Sequence, residues 1–354
     1  MTSTDRLTDV SLRMPSEPPL DVAIIGAGIS GLRAAVELGN SGLKATVFEK
    51  SRGLGGRAAT RRWNGLPVDH GAQFFTARSP EFRQQVAQWT AQGTCHEWTR
   101  GFHRYESGKL SAPEDDSHPR YACREGMSSL GRSMAAANAI KVERQAKIIS
   151  VRANKGHWAL VCEDGRAFEA RALVVTCPPP QGAALLAEAA PEAADFLRSV
   201  EMEPCLAVAA AFSRRELDWH GIQSEDATVS WIGHDSSKRA DLHDGKTVLV
   251  IHASPAFSRE NYGSAEEDVV RKLLSRAGAM AGTDLACPED CFLQRWRYAQ
   301  PVAALSAGQA PSFEEPAPLM LAGEFFAGGK IEGAWLSGRA AGRRAGERES
   351  SVGS

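Results

Sequence analysis

A glycine-rich turn near the start of the chain constrains the fold more than any other feature. Residues 21–25 form a short apolar run with β-branched side chains, which predicts a buried parallel strand, and residues 29–38 follow with helical spacing. The segment 26–31 (GAGISG) between them satisfies the pattern G-x-G-x-x-G, whose glycines allow a tight turn and close backbone approach to a pyrophosphate. A second predicted strand, 44–48, ends at Glu49, where a ribose-binding carboxylate is expected. The chain therefore begins with a dinucleotide-binding βαβ unit.

The residues after Glu49 indicate which dinucleotide is bound. In the segment 52–57 (RGLGGR), two glycines let the backbone approach a second stretch of the cofactor, and Arg57 can pair with the pyrophosphate. A Gly–Arg turn directly after the acidic residue resembles the extended FAD-binding segment of amine-oxidase-type flavoproteins. The resemblance implies FAD as the cofactor.

The rest of the chain alternates between two kinds of segment. Strands at 147–161, 168–175 and 319–322 and a helix at 126–137 extend the first unit, whereas helix 82–89 and strands 206–212, 247–252 and 292–298 have a different character. We therefore predict an α/β fold in which a Rossmann-type FAD-binding domain is interwoven with a smaller mixed β-sheet substrate domain. The FAD-binding domain comprises 20–75, 122–182 and 315–345, the substrate domain 76–121 and 183–314, and the flexible tails 1–19 and 346–354, with fraying after Gly342.

The composition argues against several classes of function. The 354 residues include 41 basic and 43 acidic side chains, so a net charge of -2 favours neither nucleic acid nor an anionic membrane. No window approaches the roughly 18 apolar residues of a membrane-spanning helix. Seven scattered cysteines without a Cys-x-x-Cys pair favour free thiols in a reducing cytoplasm over zinc or disulfides. We expect a cytoplasmic protein without a metal and without a membrane or nucleic-acid partner.

Two further segments are expected at the flavin-ring end of the cofactor. In the first, Gly71 and Ala72 are small enough for backbone contact with the isoalloxazine edge, and Gln73 and Phe74 offer a polar tip and an aromatic wall. In the second, a helix predicted to start near Gly333 would direct its N–H groups at the part of the ring where negative charge collects on reduction.

Four segments resemble the bacterial renalase-like group of FAD enzymes in the flavin amine oxidase superfamily. They are 69–78 (DHGAQFFTAR), 252–255 (HASP), 295–299 (RWRYA) and 331–338 (IEGAWLSG). The resemblance implies a flavin domain of the para-hydroxybenzoate-hydroxylase/amine-oxidase type with non-covalent FAD, and it carries cofactor contacts onto Ser30, Arg57, Gln73 and Phe74. The chain departs from the group at Glu324, where Asp is usual, and after the segment 252–255, where Trp is expected.

Together these features define two sets of predicted site residues. The predicted FAD-binding residues are Gly26, Ala27, Gly28, Ile29, Ser30, Gly31, Glu49, Lys50, Gly55, Gly56, Arg57, Gly71, Ala72, Gln73, Phe74, Ile148, Gly323, Glu324, Gly333, Ala334 and Trp335. The candidates for the substrate pocket are His70, Thr76, Arg78, Trp231, His252, Arg295 and Trp296. In the second set, Arg78 or Arg295 could bind a substrate phosphate and Trp296 could face the reacting ring, although residues 295–298 also alternate as a half-buried strand would.

The resemblance implies oxidation of the 2- and 6-dihydro isomers of NAD(P)H to NAD(P)+. Hydride would pass to flavin N5, and O2 would take the electrons to give hydrogen peroxide. A dihydropyridine becomes aromatic by losing hydride alone, so the reaction needs no side chain to remove a proton, and the sequence shows no acid/base constellation. The expected partners are a small-molecule dinucleotide and O2.

Three alternatives remain open on sequence. A flavin amine oxidase or desaturase-type dehydrogenase could share the fold, although such enzymes frame the flavin with an aromatic pair and tyrosine is scarce here, at 4 residues. The electrons could pass to a quinone or a protein instead of O2. The chain could also be a non-catalytic flavin-binding sensor or scaffold.

Overall fold

The computed structural model describes residues 18–113, 117–242, 245–303, 305, 311–328 and 330–352. Most of the predicted N-terminal tail and the last two residues lie outside these ranges. The helices are α1 (Ile29–Asn40), α2 (Pro80–Ala91), α3 (Ser129–Ala137), α4 (Pro179–Leu186), α5 (Pro191–Arg198), α6 (Pro255–Asn261), α7 (Glu266–Ala281) and α8 (Lys330–Val352), with 3-10 turns at Asp235–Arg239 and Glu324–Phe326. The strands are β1 (Leu20–Ile25), β2 (Ala45–Glu49), β3 (Thr60–Trp63), β4 (Leu66–Asp69), β5 (His96–Thr99), β6 (His103–Glu106), β7 (Lys109–Ser111), β8 (Arg120–Ala122), β9 (Lys141–Arg144), β10 (Ile148–Asn154), β11 (His157–Cys162), β12 (Ala167–Val175), β13 (Met202–Ser213), β14 (Gly221–Ser224), β15 (Val229–His234), β16 (Lys246–Ala253), β17 (Asp290–Pro301), β18 (Ser312–Phe313) and β19 (Leu319–Leu321).

The larger sheet is built on parallel strands in the order β9-β2-β1-β12-β19. Antiparallel β11 and β10 extend it from the first half of β12, and β18 pairs with β19. Both faces of the parallel core are covered, which explains why β1 reads as a continuous apolar run. Val22 and Ile24 pack beneath α1, α3 and α8, whereas Ala23 and Ile25 pack on the opposite side.

The smaller sheet has the order β17-β13-β16-β15-β14-β6-β7 and is antiparallel except where β14 pairs with β6. One of its faces packs on α7 through a core that includes Leu206, Val208 and Leu273. The other face receives the β3–β4 hairpin, where Trp63 and Val68 lie against Ala209 and its neighbours. The hairpin belongs to the part of the chain that follows the nucleotide-binding turn, so this contact joins the two sheets.

Two segments that we assigned on sequence to the substrate domain pack on the larger sheet instead. Phe82 and Trp89 of α2 lie in the core formed by α1 and the parallel strands. Leu186 of α4 and Leu197 of α5 lie in the core on the other side of that sheet. α2 lies against Trp335 of α8, and the apolar faces of α4 and α5 cover the other side of the larger sheet. In this part of the chain the smaller sheet begins only at β13.

The C-terminal helix is longer than the sequence suggested. We expected a helix from about Gly333 and fraying after Gly342, but α8 begins at Lys330 and continues to Val352. The small side chains Ala341 and Ala345 are buried against α1, with exposures of 0% and 1%. These two residues form a narrow apolar stripe with a spacing of four residues, and we did not recognise it on sequence because it lies among many charged residues. The stripe is enough to hold the helix on its neighbour. In the part of the chain that the structure describes, no helix is both long and apolar enough to cross a membrane.

The extended α8 makes a stability prediction. Placing a carboxylate at the buried Ala345 position (Ala345→Asp) should lower the free energy of unfolding by about 3 kcal/mol, because a charge without a partner would be buried. The exposed Glu347 two residues later is the matched control, and Glu347→Ala should change stability by less than about 0.5 kcal/mol. Urea unfolding of the FAD-loaded protein measures both. Equal, small effects of the two substitutions would show that the helix end is not packed in solution.

Candidate active site

A cavity of about 1680 Å³ lies where the carboxyl ends of the parallel strands face the smaller sheet. Open α/β sheets bind their ligands at this edge, at the point where the strand order reverses. The volume exceeds the roughly 300–1,000 Å³ of a typical small-molecule pocket. The cavity is therefore large enough for a dinucleotide cofactor and a second ligand, and we divide it into a cofactor arm along the larger sheet and a substrate arm along the smaller one.

The predicted glycine turn forms the start of the cofactor arm. Gly26, Gly28, Ile29 and Ser30 line the cavity. Gly26 has a φ of +107°, a backbone conformation that favours glycine. The Ser30 hydroxyl is buried at the N-terminus of α1 without a hydrogen-bond partner. A diphosphate oxygen at this helix terminus would meet both the hydroxyl and the free N–H groups.

Ala27 and Gly31, two predicted members of this turn, do not line the cavity and instead stabilise the turn. A Cβ at Gly31 would overlap the carbonyl oxygen of Gly26, so the glycine allows α1 to pack against the turn. The N–H of Ala27 donates to Glu49 Oε2 at 2.9 Å. Glu49 itself lines the cavity beside Lys50, and its other oxygen accepts from the N–H of Ser51 at 2.8 Å. The carboxylate is thus held at the end of β2, where ribose hydroxyls are expected.

The second glycine pair brings an ion pair into the cofactor arm. Gly55, Gly56 and Arg57 line the cavity, and a Cβ at Gly56 would lie 3.2 Å from the Cα of Gly28. Both guanidinium NH groups of Arg57 bind the carboxylate of Glu324 from the far end of the chain. Burial raises the pKa of Glu324, opposed by the attraction of Arg57. The pair joins the N-terminal and C-terminal segments that the sequence placed on the cofactor, and Ile148 lines the same arm.

The turn after β4 forms the end of the cofactor arm where we expected the flavin ring, which we call the flavin-ring end. Gly71, Ala72, Gln73 and Phe74 all line the cavity. A Cβ at Gly71 would overlap the carbonyl oxygen of Arg57, which also accepts from the N–H of Ala72 at 2.9 Å. Gly71 therefore has to be glycine for this turn to lie against the Gly56–Arg57 segment.

The C-terminal segment supplies the opposite side of this end. Gly323, Glu324 and Ala334 line the cavity as predicted, but Gly333 and Trp335 do not. A Cβ at Gly333 would lie 2.6 Å from the carbonyl oxygen of Ala327, so this glycine serves the start of α8. Trp335 points into the core, where its ring lies 5.5 Å from that of Phe82 and beneath the guanidinium of Arg33. Because α8 begins one turn earlier than expected, Trp335 lies on its buried face.

The substrate arm is a set of side chains on one face of the smaller sheet. Cross-strand pairing aligns Gln294 with Ala207, Ala207 with His252, and His252 with Trp231. Directly opposite residues on neighbouring strands share a face, so these four form one row. The next row pairs Cys205 with Trp296. We call these two rows the shelf; all of its members except Ala207 line the cavity.

The titratable groups of the shelf are neutral. Burial lowers the pKa of His252 to about 3, and its Nε2 atom has no hydrogen-bond partner. Burial also raises the pKa of the Cys205 thiol to about 12. Neither group is suited to remove a proton at neutral pH, because a base works best with a pKa near the operating pH.

Two of the substrate-pocket candidates lie outside the cavity, and the guanidinium of a third is held by backbone carbonyl groups. The ring of His70 is stacked on Trp296 with centroids 5.4 Å apart, and its pKa is lowered to about 4 by burial. Arg78 is exposed, and its backbone N–H binds Glu332 at 2.9 Å. Arg295 lines the cavity, but its guanidinium donates to the carbonyl oxygens of Tyr262 and Ser264. Neither Arg78 nor Arg295 is thus placed to bind a substrate phosphate as we expected.

The remaining candidates, Thr76, Trp231, His252 and Trp296, line the cavity. The indole N–H of Trp296 donates to the carbonyl oxygen of His70 at 2.9 Å, which fixes its ring. Sequence reasoning missed Gln294, Cys205 and Arg297, which line the same arm. Only the strand register could have identified Gln294 and Cys205, because they share the face of His252 and Trp296 once the strands are paired.

The residues of the cofactor arm fit FAD. The unpartnered Ser30 hydroxyl, the glycine contacts at Gly56 and Gly71 and the carboxylate of Glu49 provide for a diphosphate, an extended chain and a ribose along one wall. Residues 24–89 match the family model of the NAD(P)-binding Rossmann-like domain, and residues 94–345 match that of the flavin containing amine oxidoreductases. The chain belongs to the flavin containing amine oxidoreductase family. The members of this family are flavin-dependent oxidoreductases, and the cofactor of this chain is FAD.

Individual relatives agree with this assignment over parts of the chain. Protoporphyrinogen oxidase 2 of Arabidopsis thaliana is 47% identical over 60 residues, which are 17% of this chain and 12% of that protein. The alignment thus covers a small part of the relative's own length. A candidate protoporphyrinogen oxidase from Exiguobacterium sp. 255-15 superposes with a TM-score of 0.75 at 15% identity, over 95% of this chain and 100% of the other. Cyclohexylamine oxidase from Brevibacterium oxydans superposes with a TM-score of 0.70 at 13% identity, over 94% and 100%. These two likenesses show the shared fold.

The turn at Gly71 makes a prediction about cofactor binding. Gly71→Ala should sharply lower the FAD content of the purified protein, because the added methyl group would push the turn away from Arg57 and toward the cofactor. The ratio of flavin to protein absorbance measures this. Gly39 is the matched control, since it lies outside the cavity and a Cβ there would meet nothing within 4 Å. Gly39→Ala should retain the FAD content of the wild type; an equal loss in both variants would contradict the role of Gly71.

The buried His252 makes a prediction about acid stability. Its pKa in the folded chain, about 3, lies below its ordinary value of 6.5, so the unfolded state takes up a proton that the folded state does not. The stability that neutral His252 provides is present above pH 6.5 and is lost as the pH falls toward 3. The Tm of wild type should therefore fall relative to that of His252→Gln between pH 7 and pH 4.5. A difference in Tm that is independent of pH would contradict the assignment.

Proposed function

We propose that this chain oxidises the 2- and 6-dihydro isomers of NAD(P)H to NAD(P)+, with O2 as the electron acceptor and hydrogen peroxide as the second product. The observation that supports it best is the charge of the cavity. Among the described residues, nine lysines and arginines line the cavity, against two carboxylates: Lys50, Arg52, Arg57, Arg132, Arg144, Lys147, Arg295, Arg297 and Lys330 against Glu49 and Glu324. Such a surface attracts anions, the diphosphate of FAD among them, and the two cations of the substrate arm, Arg295 and Arg297, favour an anionic dinucleotide over a protonated amine.

Both carboxylates lie in the cofactor arm and are already engaged. Glu49 accepts from backbone N–H groups, and Glu324 is paired with Arg57. Along the described part of the substrate arm, no carboxylate faces the cavity. An ammonium group entering this arm would have no charged partner, and burial without a partner is costly.

The neutral shelf suits a reaction that needs no base. When bound, FAD supplies the hydride acceptor at ring N5. The isomeric dihydropyridine becomes an aromatic pyridinium by losing hydride alone, so catalysis depends on positioning rather than on proton removal. Trp231 and Trp296 offer flat apolar surfaces for the ring. Neutral His252 leaves Nε2 free for a polar substituent of that ring.

We also propose a cytoplasmic location and two small-molecule partners. All seven cysteines are free thiols, as expected of a protein in a reducing cytoplasm. The small-molecule partners would be the isomeric dinucleotide and O2.

An anaerobic stopped-flow experiment tests the proposal against its rivals. The FAD-loaded protein is mixed with 6-dihydroNAD, 2-dihydroNAD, NADH, cyclohexylamine and putrescine, and the flavin absorbance near ~450 nm is followed as the reporter of reduction. We expect fast bleaching by the isomeric dihydronicotinamides and slow or no bleaching by NADH and the amines. Bleaching by amines alone would assign the chain to amine oxidation. Bleaching by none of them would overturn the proposal and favour a flavin-binding sensor or scaffold.

Arg297 makes a quantitative prediction within this proposal. It lies at the mouth of the substrate arm, it is exposed, and its guanidinium lies 5.6 Å above the ring of Tyr262 with no carboxylate partner in the described residues. Arg297→Gln should raise the Kd for the isomeric dinucleotide about threefold, a modest effect because exposed ion pairs are weak. The maximal rate of flavin reduction should not change.

The phosphate-free isomeric dihydronicotinamide riboside is the matched control for this variant. It has no charge for Arg297 to bind, so Arg297→Gln should leave its Kd unchanged. An equal weakening of the riboside and the dinucleotide would show that Arg297 shapes the mouth of the cavity instead of binding phosphate.

A further inference from the structure

Four charged side chains form a fully buried cluster behind the flavin-ring end of the cavity. They are Asp69 at the end of β4 and Asp235, Lys238 and Arg239 in the 3-10 turn after β15, and each side chain has an exposure of 0%. Lys238 Nζ lies 2.8 Å from Asp235 Oδ1 and 3.4 Å from Asp69 Oδ2. Arg239 binds Asp69 and, at 3.0 Å, Asp235. We call these residues the charge cluster.

The charge cluster is balanced, with two cations against two carboxylates. Burial opposes the charged form of Asp69, but Arg239 and Lys238 outweigh it and lower its pKa. Burial likewise opposes the charged form of Arg239, and the two carboxylates raise its pKa. Asp69 also accepts hydrogen bonds from Thr60 at 2.7 Å and from the N–H of Met127 at 2.8 Å. The formal charges of the four side chains thus cancel.

The side-chain amide of Gln73 connects the cluster to the turn at this end of the cavity. Lys238 Nζ donates to Gln73 Oε1 at 3.2 Å. The Gln73 amide nitrogen donates to the carbonyl oxygens of Asp69 and Gly71, the latter at 3.1 Å. Gln73 and Gly71 line the cavity, whereas Lys238 and Asp69 do not. Lys238 thereby holds the turn that faces the flavin ring.

We propose that the charge cluster sets the redox potential of the bound flavin and that Lys238 acts on it as a positioning residue through Gln73. Reduction places negative charge on the flavin ring, and a nearby charge in a region that water does not reach interacts with it strongly. With its two cations balanced by its two carboxylates, the cluster holds the potential at its wild-type value. An uncompensated negative charge in the cluster would disfavour reduction, and an uncompensated positive charge would favour it. This inference requires only bound FAD, so it does not depend on the proposed substrate.

Charge-changing variants separate this electrostatic role from a structural one. Lys238→Met leaves the cluster with one excess negative charge, and Asp235→Asn leaves it with one excess positive charge. The double variant is neutral again, although it lacks the Lys238–Asp235 bond. The midpoint potential is measured by dye-equilibrated photoreduction, with Tm and FAD content recorded in parallel.

We expect a more negative potential in Lys238→Met, a more positive one in Asp235→Asn, and a return toward the wild-type value in the double variant, even though its Tm stays low. A purely structural cluster would lower Tm and FAD content in both single variants without shifts of opposite sign. Shifts of the same sign, or no shifts, would overturn the proposal. If Lys238→Met does not fold, Lys238→Gln creates the same charge while keeping a hydrogen-bond donor.

An exposed ion pair provides the control for the charge change itself. Arg214 and Glu216 lie 3.1 Å apart, with side-chain exposures of 69% and 87%. Arg214→Met and Glu216→Gln change the net charge of the protein by the same amounts as the cluster variants. Water and salt screen charges at this surface, so neither substitution should move the midpoint potential. A shift as large as that in the cluster variants would show that net charge, rather than the cluster, sets the potential.

Discussion

The backbones of the first and last helices of the larger domain touch, and the cofactor arm depends on that contact. A Cβ at Gly338 in α8 would overlap the carbonyl oxygen of Ser30 in α1, and one turn later a Cβ at Gly342 would lie 2.6 Å from the carbonyl oxygen of Ala34. Only small residues permit helices to approach so closely. Because α8 lies there, Glu324 in the segment before it meets Arg57. The two ends of the chain thus form one wall of the same cavity.

The substrate arm depends on a second junction, between the β3–β4 hairpin and the smaller sheet. Part of that junction is apolar, where Trp63 and Val68 pack on Ala209. The other part is the charge cluster, in which Asp69 of the larger domain binds Lys238 and Arg239 of the smaller one. Replacing buried ion pairs by apolar residues often costs no stability, so such a cluster is better explained by the geometry it specifies than by the energy it adds. Its bonds have strict directions, and they fix the turn between Asp69 and Gln73 in one position.

The parts of the site that sequence could predict are those that local backbone geometry determines. The turn at Gly26 and its flanking strand and helix were predicted because sterics require glycine there and because the apolar pattern is continuous. The full length of α8 was missed because its stripe, Ala341 and Ala345, is narrow and lies among charged residues. Gln294 and Cys205 of the shelf and the whole charge cluster were missed for a different reason. They depend on strand register and on contacts between residues separated by up to 170 positions, such as Asp69 and Arg239, which no local pattern records.

The cofactor arm is set by local backbone geometry and the shelf by side chains. This difference explains how the fold can persist at 13–15% identity, with TM-scores of 0.70 and 0.75. The cofactor arm is made largely of backbone atoms and glycines, so many side chains around it can change without affecting FAD. The shelf is made of side chains at alternating strand positions, so a single substitution changes what it can bind. Information about the substrate is therefore concentrated in residues such as His252, Trp296 and Arg297. In this chain they form a neutral aromatic surface with a cation beside it, which fits the flat, anionic dihydronicotinamide that we propose as the substrate.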